Sequence, residues 1–91
     1  MRNTHTGSKE LIRLELELAV TFANVAHTKY SMGNVAGGNV SRSNAQKAYR
    51  TALRYFVKLA DVTSSDRRTL QGLIKNAKDA IATLPKAGTL K

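Results

Sequence analysis

Between residues 12 and 30 an apolar side chain recurs every third or fourth position: Ile12, Leu16, Ala19, Ala23, Ala26 and Tyr30. That spacing places all six on one side of an α-helix and does not suit a strand, whose side chains alternate between two faces. A second set, Leu11, Leu14, Leu18, Phe22, Val25 and Met32, runs beside the first. At about 100° per residue the two sets cover roughly half the helix circumference. A face that wide is expected to touch two neighbours, which makes this helix the expected centre of packing. Ser8 suits its N-cap, and Glu10 falls in the first turn, near the positive end of the helix dipole.

Two further helices follow from the same periodicity. Gly33 and Asn34 close the first, and the segment through Val40 holds three glycines and two asparagines, a composition that favours positive φ and a mobile loop. The second helix is expected to begin at Ser43, which has capping-box spacing to Gln46. Its apolar face is Ala45, Ala48, Tyr49, Ala52, Leu53, Phe56, Leu59 and Ala60, and it should end near Asp61. A short turn with Ser64 or Ser65 as cap leads into a third helix striped by Leu70, Leu73, Ile74, Ala77, Ala80, Ile81 and Leu84. Gly72 inside that helix costs up to about 1 kcal/mol relative to alanine, and Pro85 stops it. The pattern predicts one all-α domain: an antiparallel three-helix bundle with helices at about 8–32, 43–61 and 65–84, and loose tails at 1–7 and 86–91.

The run Ala48-Tyr49-Arg50-Thr51-Ala52-Leu53-Arg54-Tyr55-Phe56, preceded by a glycine-containing loop, resembles the second helix of tetratricopeptide-type hairpins. The three-helix layout is similar to that of microtubule-interacting and trafficking domains, a resemblance that implies binding of partner helices in grooves. The chain has no tryptophan and no second copy of the unit, so no functional residue is carried over. A helix-turn-helix reading of residues 60–74 is weaker, because the turn lacks the usual glycine and the preceding helix is long.

The chain of 91 residues has no cysteine, which removes disulfides and thiolate metal sites. The most apolar stretch, Leu11 to Ala26, is interrupted by Arg13, Glu15 and Glu17, which argues against a membrane span or a signal-peptide core. Cytoplasmic residence is therefore expected, without a membrane role.

Catalytic chemistry is hard to find. His5 and His27 belong to no metal-ligand spacing, and the six acids are too scattered for a general acid–base pair. Gly33 and Gly38 have the spacing of the outer glycines of a phosphate loop, but Asn39-Val40 replaces the required Lys-Ser/Thr. A weaker anion site at Ser41, Arg42 and Ser43 is outweighed by simple helix capping. No enzyme activity, cofactor or metal is expected. Glu15 is the misplaced carboxylate, set among Leu11, Leu18, Ala19 and Phe22. Burial there calls for a partner on a neighbouring helix, such as Tyr49 or an arginine.

Charge is lopsided. The net charge is +9. Residues 1–40 carry four basic and three acidic side chains, and residues 41–91 carry eleven and three. Lys47, Arg50, Arg54 and Lys58 project from one side of the second helix, with no acid before Asp61 to relieve them. Arg67, Arg68, Lys75 and Lys78 do the same on the third, and Arg42 precedes the second. Such a surface either keeps the protein soluble or meets a polyanion. The leading expectation is a non-enzymatic binding module that docks a protein partner, or a second copy, through a helix groove. The alternative is a nucleic-acid-associated protein that contacts phosphates through the basic residues of the second and third helices.

Overall fold

Helical periodicity makes three helices and no other regular element among the described residues. The computed structural model describes residues 4–59 and 62–85, with side chains from residue 9 onward. The helices are α1 (Thr4–Ser31), α2 (Val35–Val57) and α3 (Ser64–Ala82). α1 starts a turn before the expected Ser8 cap, so residues 4–7 are helix rather than loose tail. Residues 1–3 and the tail expected at 86–91 lie outside the described residues, as do Ala60 and Asp61. α2 ends before the expected Asp61: Val57 is its last residue and Lys58 its C-cap, where Lys58 and Leu59 donate their N–H groups to the Tyr55 and Phe56 carbonyls at 3.1 Å, tight bonds that end the α-helical ladder.

The largest departure from the sequence reading is the start of α2. The expected loop through Val40 is helix from Val35 onward. α1 closes in a Schellman motif: Gly33, at φ +83°, donates its N–H to the Tyr30 carbonyl at 3.0 Å, and Asn34 donates to the Lys29 carbonyl at 2.8 Å. Asn34 then caps α2, its side-chain Oδ1 accepting the Gly37 N–H at 2.9 Å. Ser43 is therefore not a cap but an exposed residue inside α2. Glycines 37 and 38 serve close packing instead of a turn. A Cβ at Gly37 would meet the Asn34 amide and the Lys29 stem, each as close as 2.9 Å or less, and one at Gly38 would fall on the Tyr30 ring.

α3 is capped by Thr63, one residue before the expected serines. Its Oγ1 accepts the Asp66 N–H at 3.0 Å. The chain runs up, down and up, so α1 and α3 are parallel and α2 opposes both. Lys9 on α1 meets Asp66 near the start of α3, whereas Tyr30 and Leu84 share the far end of the core.

The core follows the seams read from the sequence. One cluster gathers Ile12, Leu16, Ala19, Ala48, Ala52 and Leu70 with Tyr49 and Phe56 packed against it, and the other gathers Ala23, Ala26, Tyr30, Ala45 and Leu84. The α1–α2 contact is the most extensive and the α2–α3 contact the least. Along α2 the buried positions Gly38, Ser41, Ala45, Ala48 and Ala52 alternate steps of three and four, so its fully buried residues are all small and the α1 and α2 backbones approach closely. Ile12 and Leu16 are the largest side chains shut off completely. Burying one such side chain contributes roughly 1.5–3 kcal/mol, and alanines contribute far less, so stability rests on tight helix approach more than on bulk.

Candidate functional site

Two surfaces remain once the core is assigned, and they lie on different helices. The first is the outer side of α1. α1 touches both neighbours and is the centre of packing, as expected, but it does so mainly through its first apolar set, and most of the second is left exposed. Leu14 is 56 % exposed, Leu18 42 % and Met32 74 %, and Leu11 and Val25 are also exposed. Of that set only Phe22 packs partly into the core. The reason is geometric: α2 and α3 both sit on the Ile12–Tyr30 seam and its flanks, and among the described residues no further element covers the rest.

The exposed set is regular. Leu11, Leu18, Val25 and Met32 are seven residues apart, and Leu14, Thr21 and Thr28 fall at the complementary fourth positions. With Leu11 as heptad position a, the d positions are Leu14, Thr21 and Thr28. The breadth of the apolar face in the sequence left room for exposed surface on this helix without saying which residues it would comprise. The signal available was that sevenfold spacing of Leu11, Leu18, Val25 and Met32, a second apolar row beside the one that packs the core.

Glu15 borders this surface. It is half-buried and lines a shallow hollow with Leu18, Phe22, Asn44, Lys47 and Thr51. No hydrogen bond or ion pair to Tyr49 or an arginine forms among the described residues; Tyr49 packs against the core instead. Lys29 lies on the same flank of α1, with its aliphatic stem against Gly37.

The second surface is cationic and spans α2 and α3. The structure sorts the nine basic candidates. Arg42 is half-buried, its guanidinium 5.4 Å from the centroid of the Tyr30 ring. Ser41 beside it is buried, so both sit inside α2 and form no anion-holding helix terminus. Arg67 lies 5.3 Å from the Phe56 ring and donates to the Leu59 carbonyl at 3.3 Å. These two arginines cover aromatic rings and tie elements together. Lys75 pairs with Asp79 at 3.0 Å, one helical turn away. Lys47, Arg50, Arg54, Lys58, Arg68 and Lys78 are exposed. Arg50 and Lys78 line one hollow between α2 and α3, together with Gln46, Tyr49, Ile81 and Ala82. α2 contains no acidic residue from Val35 to Val57.

No group of three or more His, Cys, Asp or Glu side chains is placed to hold a metal among the described residues, and no described helix is long and apolar enough to cross a membrane. His27 is exposed on α1. Among the described residues the one perturbed carboxylate is Asp66, at the start of α3. A hydrogen bond from Lys9 Nζ, 2.8 Å from Oδ2, holds its pKa below the ordinary aspartate value of 3.8; partial desolvation opposes this, and the Lys9 charge, Thr63 and Arg13 reinforce it. This pair ties α1 to α3 in a hollow that also holds Glu10, Leu14 and Glu17, at the N-terminal edge of the outer α1 face. No family model, no curated protein and no solved structure matches the chain.

Proposed function

We propose that the protein is a non-enzymatic helical binding module that takes up a partner helix on the outer face of α1. The observation that carries this reading is the uncovered heptad seam, Leu11, Leu14, Leu18, Val25 and Met32, on a helix whose folding contacts are already made by its other side. Contiguous apolar surface of this kind costs solubility when left in water and is kept where something docks. The flanking acids Glu10, Glu15 and Glu17 favour an occupant with basic residues beside its apolar stripe.

The test is fluorescence polarisation with a designed helical peptide that carries leucine heptads flanked by lysine. Saturable binding that Leu18→Glu abolishes is the expected result. Absence of binding at the highest soluble concentration would remove the reading.

A second reading is supported by the free cations. Lys47, Arg50 and Arg54 on α2 and Lys58 at its C-cap, with Lys78 across the α2–α3 hollow, form a stripe about 16 Å long from Lys47 to Lys58 at 1.5 Å per residue. That length covers about five base steps of a nucleic-acid strand at 3.4 Å each. Titration of labelled duplex DNA and RNA at low and moderate salt checks it. Binding should fall steeply with salt and weaken in Arg50→Glu/Arg54→Glu. A failure to bind at low salt excludes it.

A further inference from the structure

We infer that the occupant of the outer α1 face is a second copy of this chain, with the two α1 helices antiparallel; the inference rests on the docking reading above. Three observations select this occupant and its direction. The first is the distribution of charge. α1 carries Lys9, Arg13 and Lys29 against Glu10, Glu15 and Glu17, so it is neutral although the chain is strongly cationic. It is the one helix through which two copies meet without bringing the excess positive charge together, since α2 and α3 hold the surplus.

The second is the charge pattern along the seam. With Leu11 at a, Glu15, Phe22 and Lys29 occupy e, and Glu10, Glu17, Asn24 and Ser31 occupy g. In a parallel pair each g faces the e of the following heptad on the other helix, so Glu10 would meet Glu15 on both sides of the dimer. In an antiparallel pair e faces e. The register that sets Leu14 against Met32 of the second copy, Leu18 against its Thr28 and Thr21 against its Val25 brings Glu15 next to Lys29, twice by symmetry. Repulsion disfavours one direction and attraction favours the other.

The third is the state of those two side chains in the single chain. Glu15 is half-buried in a hollow with Leu18, Phe22 and, from α2, Asn44, Lys47 and Thr51, and among the described residues it makes no ion pair with Lys47 or any other cation; Lys29 makes none either. A carboxylate partly drawn out of water at an apolar edge is costly alone, and the second copy's lysine supplies its counter-charge. The two threonines in the d positions keep the seam weak, which suits a reversible dimer rather than an obligate one.

The experiment uses the full chain, whose natural sequence has no cysteine to interfere. Leu14→Cys and Met32→Cys variants are prepared separately, checked for helicity by circular dichroism, and oxidised alone and mixed. The mixture should yield a covalent dimer joining the two variants, and neither variant alone should do so efficiently. Glu15→Lys should lose sedimentation as a dimer, and Glu15→Lys/Lys29→Glu should recover it. Efficient joining of Leu14→Cys to itself, or failure of the double swap to recover what the single one loses, overturns the antiparallel pairing. A chain that sediments as a single copy at all concentrations while still binding the lysine-flanked peptide overturns self-pairing and leaves the docking face intact; if both fail, the docking face falls too.

Discussion

The Tyr30 hydroxyl donates to Oδ1 of Asn39 at 2.6 Å, joining the last turn of α1 to the second turn of α2. The ring beneath that hydroxyl is held on one side by the bare backbone of Gly38 and on another by the Arg42 guanidinium. One aromatic side chain thus fixes the α1–α2 hairpin, and the glycine-rich segment exists to admit it. Removing the hydroxyl in Tyr30→Phe should cost about 1 kcal/mol in chemical denaturation, a typical net value for one hydrogen bond. An unchanged midpoint would show that the bond contributes nothing.

Two glycines in helices should respond to alanine with opposite signs. Gly38→Ala drives a methyl into the Tyr30 ring, and overpacking of this kind destabilises by about 1–3 kcal/mol despite alanine's better helix propensity. Gly72 in α3 is exposed and has nothing within 4 Å of where its Cβ would lie. Gly72→Ala should therefore stabilise by about 0.5–1 kcal/mol. Thermal melts of both variants beside the parent decide the matter, and a stabilised Gly38→Ala would contradict the packing described for Tyr30.

These positions also show how far the sequence could be read. The inner seam from Ile12 to Tyr30, the alanine face of α2 and the α3 stripe were all legible, because helical burial leaves a period that composition alone does not hide. The start of α2 was misread because glycine's usual meaning is a turn. Only the position of the Tyr30 ring, a tertiary fact, reveals that Gly38 is small to make room. Arg42 and Arg67 were indistinguishable from the other cations by charge. Their difference lies in the rings of Tyr30 and Phe56 beneath them, which no local spacing announces. The outer α1 stripe was visible as a pattern, but whether it is covered depends on how many helices the fold supplies.

The two candidate starts of α2 make separable demands. Asn34→Ala removes the side chain that caps the Gly37 N–H and should cost about 1 kcal/mol. Ser43→Ala alters an exposed position inside the helix and should be neutral or slightly stabilising. Denaturant titration of each variant checks this, and a larger loss at Ser43 would restore the later start.

Acid should loosen the α1–α3 contact at Asp66. Its folded-state pKa is depressed by the Lys9 hydrogen bond, so the folded state gains stability while the carboxylate is ionised, above the unfolded value near 3.8. That gain disappears as pH falls through 3.8 and past the lower folded value. The pair is well exposed to solvent, so the contribution is small. Carboxyl NMR titration should place Asp66 below 3.8 in the parent and return it towards 3.8 in Lys9→Ala. An Asp66 titration unmoved by that substitution would show the pair to be absent in solution.

The division of α1 into a folding side and a docking side is tested most directly by light-scattering mass across a concentration series, with Leu18→Glu/Val25→Glu measured beside the parent. The parent should rise from 9.9 kDa towards twice that value as concentration increases, while the double variant stays at 9.9 kDa with an undiminished helical spectrum. A double variant that gains mass as the parent does, or that loses its helices, would contradict it.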